Sequence, residues 1–260
     1  MIKSMDFKKI KCFLLDGDGT MYLSGKVFDG VVETIQRMRK QGKVLFVTNS
    51  CLYTRKGHAK KIKKMGIPIT EDEIYGAGMA TIDYLKENYS GKRVFLLARN
   101  RIKKEFRANG INIVENNPEV VVTSFTNRLT FKQLSRTCAF IKNGVPFIST
   151  HHDLTYPVSK GFWPDIGATL ALIEASTGKK PLAICGKPFE PLAKGICKLA
   201  NCRPNEVAMF GDRLMTDIAF ANKNGFVGVL VLTGEATRED ASKSPHKPDV
   251  ILPSLADLQI

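Results

Sequence analysis

The 260-residue sequence lacks the features that mark several classes of protein. It has no apolar run long enough to span a bilayer, and its first residues, MIKSMDFKKIK, lack the apolar centre and small-residue cleavage site of a signal peptide. It has no internal repeat, no low-complexity tract, and no zinc-finger or RRM signature. We therefore expect a cytoplasmic globular protein with no membrane partner.

Cysteine and tryptophan are sparse. The six cysteines form no CxxC pair, and several lie in apolar strand or helix patterns, where a thiol behaves as a small hydrophobic group. This spacing argues against a disulfide framework and against a zinc site. The single tryptophan, Trp163, is expected in a domain core rather than on a stacking surface.

Acidic residues are scarce relative to basic ones. The 25 acidic and 39 basic residues give a net charge of +14, which is compatible with nucleic acid, an anionic membrane surface or phosphorylated small molecules as partners. The densest basic run, residues 54–66, places lysines at helical spacing but has no interleaved aromatic residues of the kind that bind single strands. We interpret this run as a solvated helix face, and we expect no nucleic-acid partner.

What the sequence does contain is an alternation of strand and helix patterns. Apolar runs at 12–16 and 43–49 alternate with helical spacing at 30–42 and 54–65, which predicts a parallel, doubly wound sheet. The C-terminal third repeats the alternation, with strands predicted at 181–187, 207–212, 227–234 and 248–255. The middle of the chain reads as a separate α/β unit. We therefore predict an α/β fold in which residues 1–80 and 181–260 form one sheet domain and residues 81–180 form an inserted domain.

Polar residues follow four of the strands predicted for the sheet domain. Parallel strand ends meet at one rim, where ligands bind in open α/β sheets. Aspartates gathered at this rim repel one another unless a cation neutralises them, and a site with oxygen ligands alone suits Mg²⁺. A lysine there supplies positive charge for a further anion, and bare glycine N–H groups can face a phosphate. The rim residues are Asp16, Gly17, Asp18, Gly19, Thr48, Asn49, Ser50, Lys187, Asp212 and Asp217.

The stretch DGDGT at residues 16–20 has two other interpretations. As a calcium loop starting at Asp16, it would need glycine at the sixth position and glutamate at the twelfth, where the chain has Met21 and Val27. As a simple turn, it would not explain why the other predicted strands also end in complementary groups.

The four motifs DGDGT, VTNS, GKP and GDRLMTD resemble, in order, those of the haloacid dehalogenase (HAD) superfamily. The TNS and GKP variants resemble its NagD-type, or p-nitrophenylphosphatase-like, phosphatases, and the middle of the chain resembles their inserted α/β cap. The likeness covers nearly the whole chain and implies a Rossmann-like core. The chain departs from relatives at residues 150–153 and 164–167, which leaves the substrate open.

The resemblance implies a Mg²⁺-dependent phosphomonoester hydrolase that acts on a small phosphorylated metabolite, such as a sugar phosphate or nucleotide, through an aspartyl-phosphate. Asp16 would be the nucleophile, and Asp18 the general acid and then the general base. Asp16, Asp212 and the backbone carbonyl of Asp18 would hold the metal, and Asp217 would orient the metal waters or the lysine. Thr48, Asn49 and Lys187 would bind the phosphoryl oxygens, and Gly17 and Ser50 are further candidates for binding the substrate.

His151 and His152 have two interpretations, a solvated turn or a pair of substrate contacts in the cap. With Asp153 and Asp165 they are the polar candidates for contacts to the leaving group. The alternative to an enzyme is a non-catalytic basic protein that binds nucleic acid or a phosphorylated effector, but such a protein has no need of an acid/base aspartate. The resemblance also allows for a homodimer.

Overall fold

The structure, a computed structural model, describes residues 6–158 and 161–260. The strands are β1 Cys12–Leu15, β2 Tyr22–Leu23, β3 Lys26–Val27, β4 Lys43–Phe46, β5 Val94–Leu97, β6 Val120–Thr123, β7 Phe147–Ser149, β8 Thr155–Val158, β9 Gly161–Pro164, β10 Ala183–Ile184, β11 Val207–Gly211, β12 Val227–Val231 and β13 Val250–Leu252. The α-helices are α1 Val31–Gln41, α2 Arg55–Lys64, α3 Ala77–Asn88, α4 Asn100–Ala108, α5 Phe131–Lys142, α6 Ile166–Thr177, α7 Glu190–Ala200, α8 Ala219–Asn224 and α9 Arg238–Lys243.

The chain forms two compact units. The first contains the residues up to Thr48, Arg55–Tyr75 and Lys187–Ile260, and the second contains Asn49–Thr54 and Gly76–Gly186. The boundary expected near residue 80 falls inside helix α3. The division lies instead directly before this helix, between Tyr75 and Gly76, so that α3 stays whole within the second unit.

The first unit is built on a five-stranded sheet with the order β13-β12-β11-β1-β4, in which every neighbouring pair is parallel. Strand β1 lies between β11 and β4, so that Cys12 pairs with both Val207 and Lys43. All four residues of β1 are buried, as expected for a strand covered on both faces. The predicted α/β fold with a parallel, doubly wound sheet is confirmed.

Helix α1 shows why the local sequence folds as predicted. Val31, Ile35 and Met38 recur at helical spacing and are fully buried. Burial of each such side chain contributes roughly 1.5–3 kcal/mol. The helix ends at Gly42, where an added Cβ would meet the backbone of Lys11. This close approach brings the chain directly into β4 beside β1.

The second unit has its own parallel sheet with the order β10-β7-β6-β5. This topology corrects one prediction. The strand expected at 181–187 is β10, and it pairs with Ile148 and Ser149 of β7 instead of joining the first unit's sheet. A two-residue strand carries no periodicity, and the partner that it selects is a matter of tertiary structure. Lys187 therefore enters the first unit on the segment that leads into α7, and not at the end of a core strand.

Two further observations concern the surface. Trp163, expected in a core, is 49% exposed on β9, which pairs with β8 as an antiparallel hairpin whose β9 residues are all exposed. A two-stranded hairpin has too little area to bury both of its faces.

Within the described residues, no helix is both long enough and apolar enough to cross a membrane.

Candidate functional site

Three carboxylates converge in the first unit. Asp16 directly follows β1, Asp212 directly follows β11, and oxygens of Asp16, Asp212 and Asp217 lie within 4.8 Å of one another. Lys187 connects two of them, because its Nζ donates to Oδ1 of Asp16 and to Oδ1 of Asp217, both at 2.6 Å. The structure thus brings together four of the residues that the sequence placed at one rim.

Asp212 is held by backbone on one side only. Its Oδ2 accepts a hydrogen bond from the N–H of Glu235 at 2.8 Å, whereas its buried Oδ1 has no hydrogen-bond partner in the described part of the chain. Two glycines make room for this carboxylate, since a Cβ at Gly19 or at Gly234 would overlap it. Gly19 also has φ +82°, which glycine adopts at no steric cost. The expectation that the Gly19 N–H is free for a phosphate is wrong, because it donates to the carbonyl of Tyr22 at 2.8 Å.

Asp217 lies on the π-helical turn Leu214–Ile218, which begins where the loop after β11 ends. The wide turn is closed by a bond from the N–H of Ile218 to the carbonyl of Arg213 at 3.2 Å, and such π turns are frequent at functional sites. Asp217 is fully buried, and its two oxygens accept from Lys187 Nζ and from the N–H of Arg213. Both oxygens are therefore engaged within the protein.

The charges of this cluster do not balance. Burial and then the neighbouring Asp16 carboxylate raise the pKa of Asp212 to about 6. Burial also opposes the charge of Lys187, but the carboxylates of Asp16 and Asp217 outweigh it and raise the pKa of the ammonium above its usual value. Lys187 is bonded to two of the three carboxylates, and the nearby Arg213 guanidinium is itself paired with Glu235 at 3.1 Å, so negative charge remains in excess and an Asp212 oxygen is left without a partner in the described part of the chain. A hard divalent cation with oxygen ligands fits both observations.

Asp18 lies at the edge of the same cluster and is half-exposed. Its Oδ2 is 3.7 Å from Lys61 Nζ, and the same ammonium lies 5.2 Å from the centre of the Tyr22 ring. Partial burial and the Asp16 charge raise the pKa of Asp18, whereas Lys61 and Arg213 lower it. Asp16 and Asp18 therefore differ in exposure and in partners, and such differences in environment set the pKa values of neighbouring carboxylates apart.

The remaining predicted residues do not all join this cluster. Thr48, two residues beyond β4, belongs to the first unit, whereas Asn49 and Ser50 belong to the second. Asn49 is buried, and its Nδ2 donates to both oxygens of Asp153 at 3.1 and 3.2 Å. This contact connects the two segments of the second unit and fixes the orientation of the Asp153 carboxylate.

His151 is not part of a solvated turn, and that interpretation is wrong for this residue. It is fully buried, its Nε2 lies 3.1 Å from Oδ1 of Asp165, and its Nδ1 lies 3.0 Å from the Thr150 hydroxyl. Burial lowers the pKa of His151, but the hydrogen bond to Asp165 and the interaction with Cys51 outweigh it and raise the pKa to about 10. Asp165 also accepts from the N–H of Ile166 at the start of α6. His152, in contrast, is partly exposed, with its Nδ1 4.0 Å from Asp153.

Three residues near the cluster were missed by sequence reasoning. Lys61 was assigned to a solvated helix face, and no local pattern shows that it reaches Asp18. Thr233 donates to the carbonyl of Gly19 at 2.6 Å, and Gly234 makes room for Asp212. Both follow strand β12, so the rule that polar residues gather at strand ends could have identified this loop.

Comparison with known proteins gives consistent results. The model of the haloacid dehalogenase-like hydrolases matches residues 13–112, and a HAD-hydrolase-like model matches residues 184–258. The chain is 30% identical to 5′-nucleotidase YutF of Bacillus subtilis, over 96% of this chain and 98% of that protein. It is 31% identical to an acid sugar phosphatase of Staphylococcus aureus, over 93% of each chain. Among solved structures, 4-nitrophenylphosphatase from Thermotoga maritima superimposes with a TM-score of 0.93 at 35% identity, covering 96% of this chain and 97% of that one.

Proposed function

Because this chain belongs to the haloacid dehalogenase-like hydrolases and is a phosphatase of that family, we propose that Asp16 and Asp18 carry out its hydrolysis of phosphate monoesters. The observation that supports this assignment is the cluster in which Lys187 joins Asp16 and Asp217 beside Asp212. A non-catalytic binding protein would have no use for this set of groups, and family membership also favours the enzyme.

The reaction has two steps. A carboxylate oxygen of Asp16 attacks phosphorus, the bond to the leaving oxygen breaks, and Asp18 gives that oxygen a proton. Asp18 then takes a proton from a water molecule, which attacks the aspartyl-phosphate and releases inorganic phosphate and free Asp16. Lys187 fixes the Asp16 carboxylate and adds positive charge where the phosphoryl oxygens gather. Thr48 and the backbone around Gly17 contribute donors to the same oxygens.

Asp16, Asp212 and the backbone carbonyl of Asp18 would hold the divalent cation, for which we propose Mg²⁺. When bound, the cation neutralises carboxylate charge and stabilises the charge of the phosphoryl group. Asp217 lies behind these ligands, because its oxygens are engaged by Lys187 and by the N–H of Arg213. The unpartnered Oδ1 of Asp212 is the atom that most needs the cation.

We propose that the leaving group, a small metabolite, contacts Asn49, Ser50, His152 and Asp153. His151 and Asp165 are buried against each other and therefore position the loop that carries His152 and Asp153. A cytoplasmic location and a homodimer remain predictions.

The experiment compares Asp→Asn variants on two esters, 4-nitrophenyl phosphate and ribose 5-phosphate. Asp16→Asn should abolish turnover of both, because an amide is a poor nucleophile. Asp18→Asn should slow the alkyl ester about 100-fold or more and the nitrophenyl ester much less, since nitrophenolate leaves without a proton. Asp29→Asn, an exposed position of the same unit, is the control. Substantial turnover by a folded Asp16→Asn variant would disprove the covalent mechanism.

A further inference from the structure

One lysine of the basic run at residues 54–66 differs from its neighbours. Lys61 is partly buried, whereas the other lysines of the run are exposed. Ala59 and Ile62, on either side of it in helix α2, pack into the hydrophobic core of the first unit and fix the helix from which Lys61 extends. The side chain of Lys61 therefore lies against the first unit and is not simply part of a solvated face.

Lys61 lies beside the loop that carries two of the aspartates. Its Nζ is 3.7 Å from Oδ2 of Asp18 and 5.2 Å from the centre of the Tyr22 ring. Tyr22 is buried and is joined to the loop, because its carbonyl accepts from the N–H of Gly19 at 2.8 Å and a Cβ at Gly17 would meet its hydroxyl. The ring is thus a fixed surface that attracts the ammonium and places it next to Asp18.

Asp18 is held differently from the other aspartates of the site. Asp16, Asp212 and Asp217 accept hydrogen bonds of 2.6 to 3.2 Å from Lys187 or from backbone N–H groups. In the described part of the chain, the only ion-pair partner of Asp18 is Lys61, at a distance too long for a hydrogen bond. Lys61 therefore attracts the carboxyl group of Asp18 while leaving its oxygens accessible to a leaving group.

The charge of Asp18 changes in the first step of the proposed reaction. Asp18 becomes negative as it gives its proton to the leaving oxygen, and an ammonium beside it stabilises that negative charge. Because the charge is absent before the proton moves, the interaction is stronger in the transition state than in the bound substrate and so accelerates the step. The benefit is largest for leaving groups that need the proton most.

We propose that Lys61 is a positioning residue for the hydrolysis of phosphate monoesters. Held over the Tyr22 ring, it orients the Asp18 carboxyl group and stabilises the negative charge that forms there when the leaving oxygen is protonated. The inference rests on the proposed function of Asp18 as the general acid, and it gives a role to a residue of the basic run.

The test compares Lys61→Met with Lys63→Met on two esters of the same shape, phenyl phosphate and 4-nitrophenyl phosphate. Nitrophenolate leaves readily without a proton, whereas phenolate leaves far more readily with one. The measured quantity is kcat/KM, which covers substrate binding and transfer to Asp16 and so isolates the step in which Asp18 is the acid.

Lys61→Met should lower kcat/KM for phenyl phosphate about 5-fold, the fold-change that corresponds to an exposed charge pair of about 1 kcal/mol, and for the nitrophenyl ester by less than about twofold. Lys63→Met has the same change of charge at an exposed position of the same helix and should alter neither value.

Two more variants separate positioning from other roles. Lys61→Arg keeps the positive charge and the contact with the ring, so it should retain the wild-type ratio of kcat/KM for the two esters. In an Asp18→Asn background, Lys61→Met should not change this ratio further, because a residue that acts through Asp18 has no effect once the acid is removed.

An equal loss for both esters, no loss for either, or the same loss in Lys63→Met would overturn the proposal. A further change of the ratio in the Asp18→Asn background would also overturn it, as would a rise in KM for both esters with kcat unchanged, since Lys61 would then act on the substrate directly. If Asp18→Asn alone leaves the ratio at its wild-type value, the proposed function of Asp18 fails. If Asp18→Asn changes the ratio and Lys61→Met does not, the role of Lys61 fails and the proposed function stands.

Discussion

Removal of the Lys187 ammonium should destabilise the first unit far more than removal of a surface lysine. Lys187 is 3% exposed and donates to Asp16 and Asp217 at 2.6 Å. In Lys187→Met, three carboxylates within 4.8 Å of one another would lose their internal cation. Loss of one partner of a buried ion pair costs about 3–5 kcal/mol. For a chain of this length, that corresponds to a fall in Tm of roughly 6–20 °C.

The assay is thermal unfolding followed by circular dichroism, with Lys194→Met as the matched control. Lys194 lies on α7 and forms an exposed pair with Glu190, which contributes only about 0.3–0.5 kcal/mol. Addition of Asp217→Asn to Lys187→Met should recover part of the loss, because it removes one of the uncompensated charges. The cost of breaking the buried ion pairs predicts a fall in Tm of at least about 6 °C. A Tm for Lys187→Met within about 2 °C of the control would refute this account of the charges.

Three further predictions follow from the site and its surroundings. Gly19 and Gly25 both have a φ of +82°, so alanine at either position causes the same backbone strain, but only at Gly19 does the added Cβ overlap the Asp212 carboxylate. Phosphatase activity should therefore fall in Gly19→Ala and not in Gly25→Ala. An equal loss of activity in both variants would contradict the steric argument. Chelation with EDTA should abolish turnover of 4-nitrophenyl phosphate and added Mg²⁺ should restore it, whereas full activity of verified metal-free protein would exclude the cation. The folded pKa of His151, about 10, lies above its unfolded value of about 6.5, so the stability from its ion pair with Asp165 is complete below pH 6.5 and is lost as the pH rises towards 10. Between pH 6.5 and pH 9.5, the free energy of unfolding measured with urea should therefore fall more for wild type than for His151→Gln. An equal fall in the two proteins would show that the pair is not ionised.

The core sheet and the carboxylates were predictable because their signal is local. A buried run such as Cys12–Leu15 marks a central parallel strand, and a polar residue directly after it lies at the sheet's rim. Asp16 and Asp212 are both placed by this rule. Lys187 reaches the same cluster although its predicted strand was assigned to the wrong sheet, because the short strand before it is selected by its partner β7 and not by its own pattern.

What could not be predicted depends on contacts between distant residues. The burial of His151 results from its pairing with Asp165, fourteen positions later, and no spacing rule for helix or strand connects the two. Lys61 reaches Asp18 only because α2 and the loop after β1 lie side by side in the fold.

The position of β1 between β4 and β11 has a consequence for the order of folding. During synthesis β4 follows β1 closely, but β11 emerges only after the whole second unit has been made. Pairing of such distant segments requires a large loop to close first, whereas the strands of the second unit are joined by shorter connections. The second unit can therefore fold while the chain is still growing. Strand β1, which leads into Asp16, is paired only with β4 until β11 has been made. Among the elements of the carboxylate cluster, the strand that precedes Asp16, the proposed nucleophile, is thus among the last to be fixed on both sides.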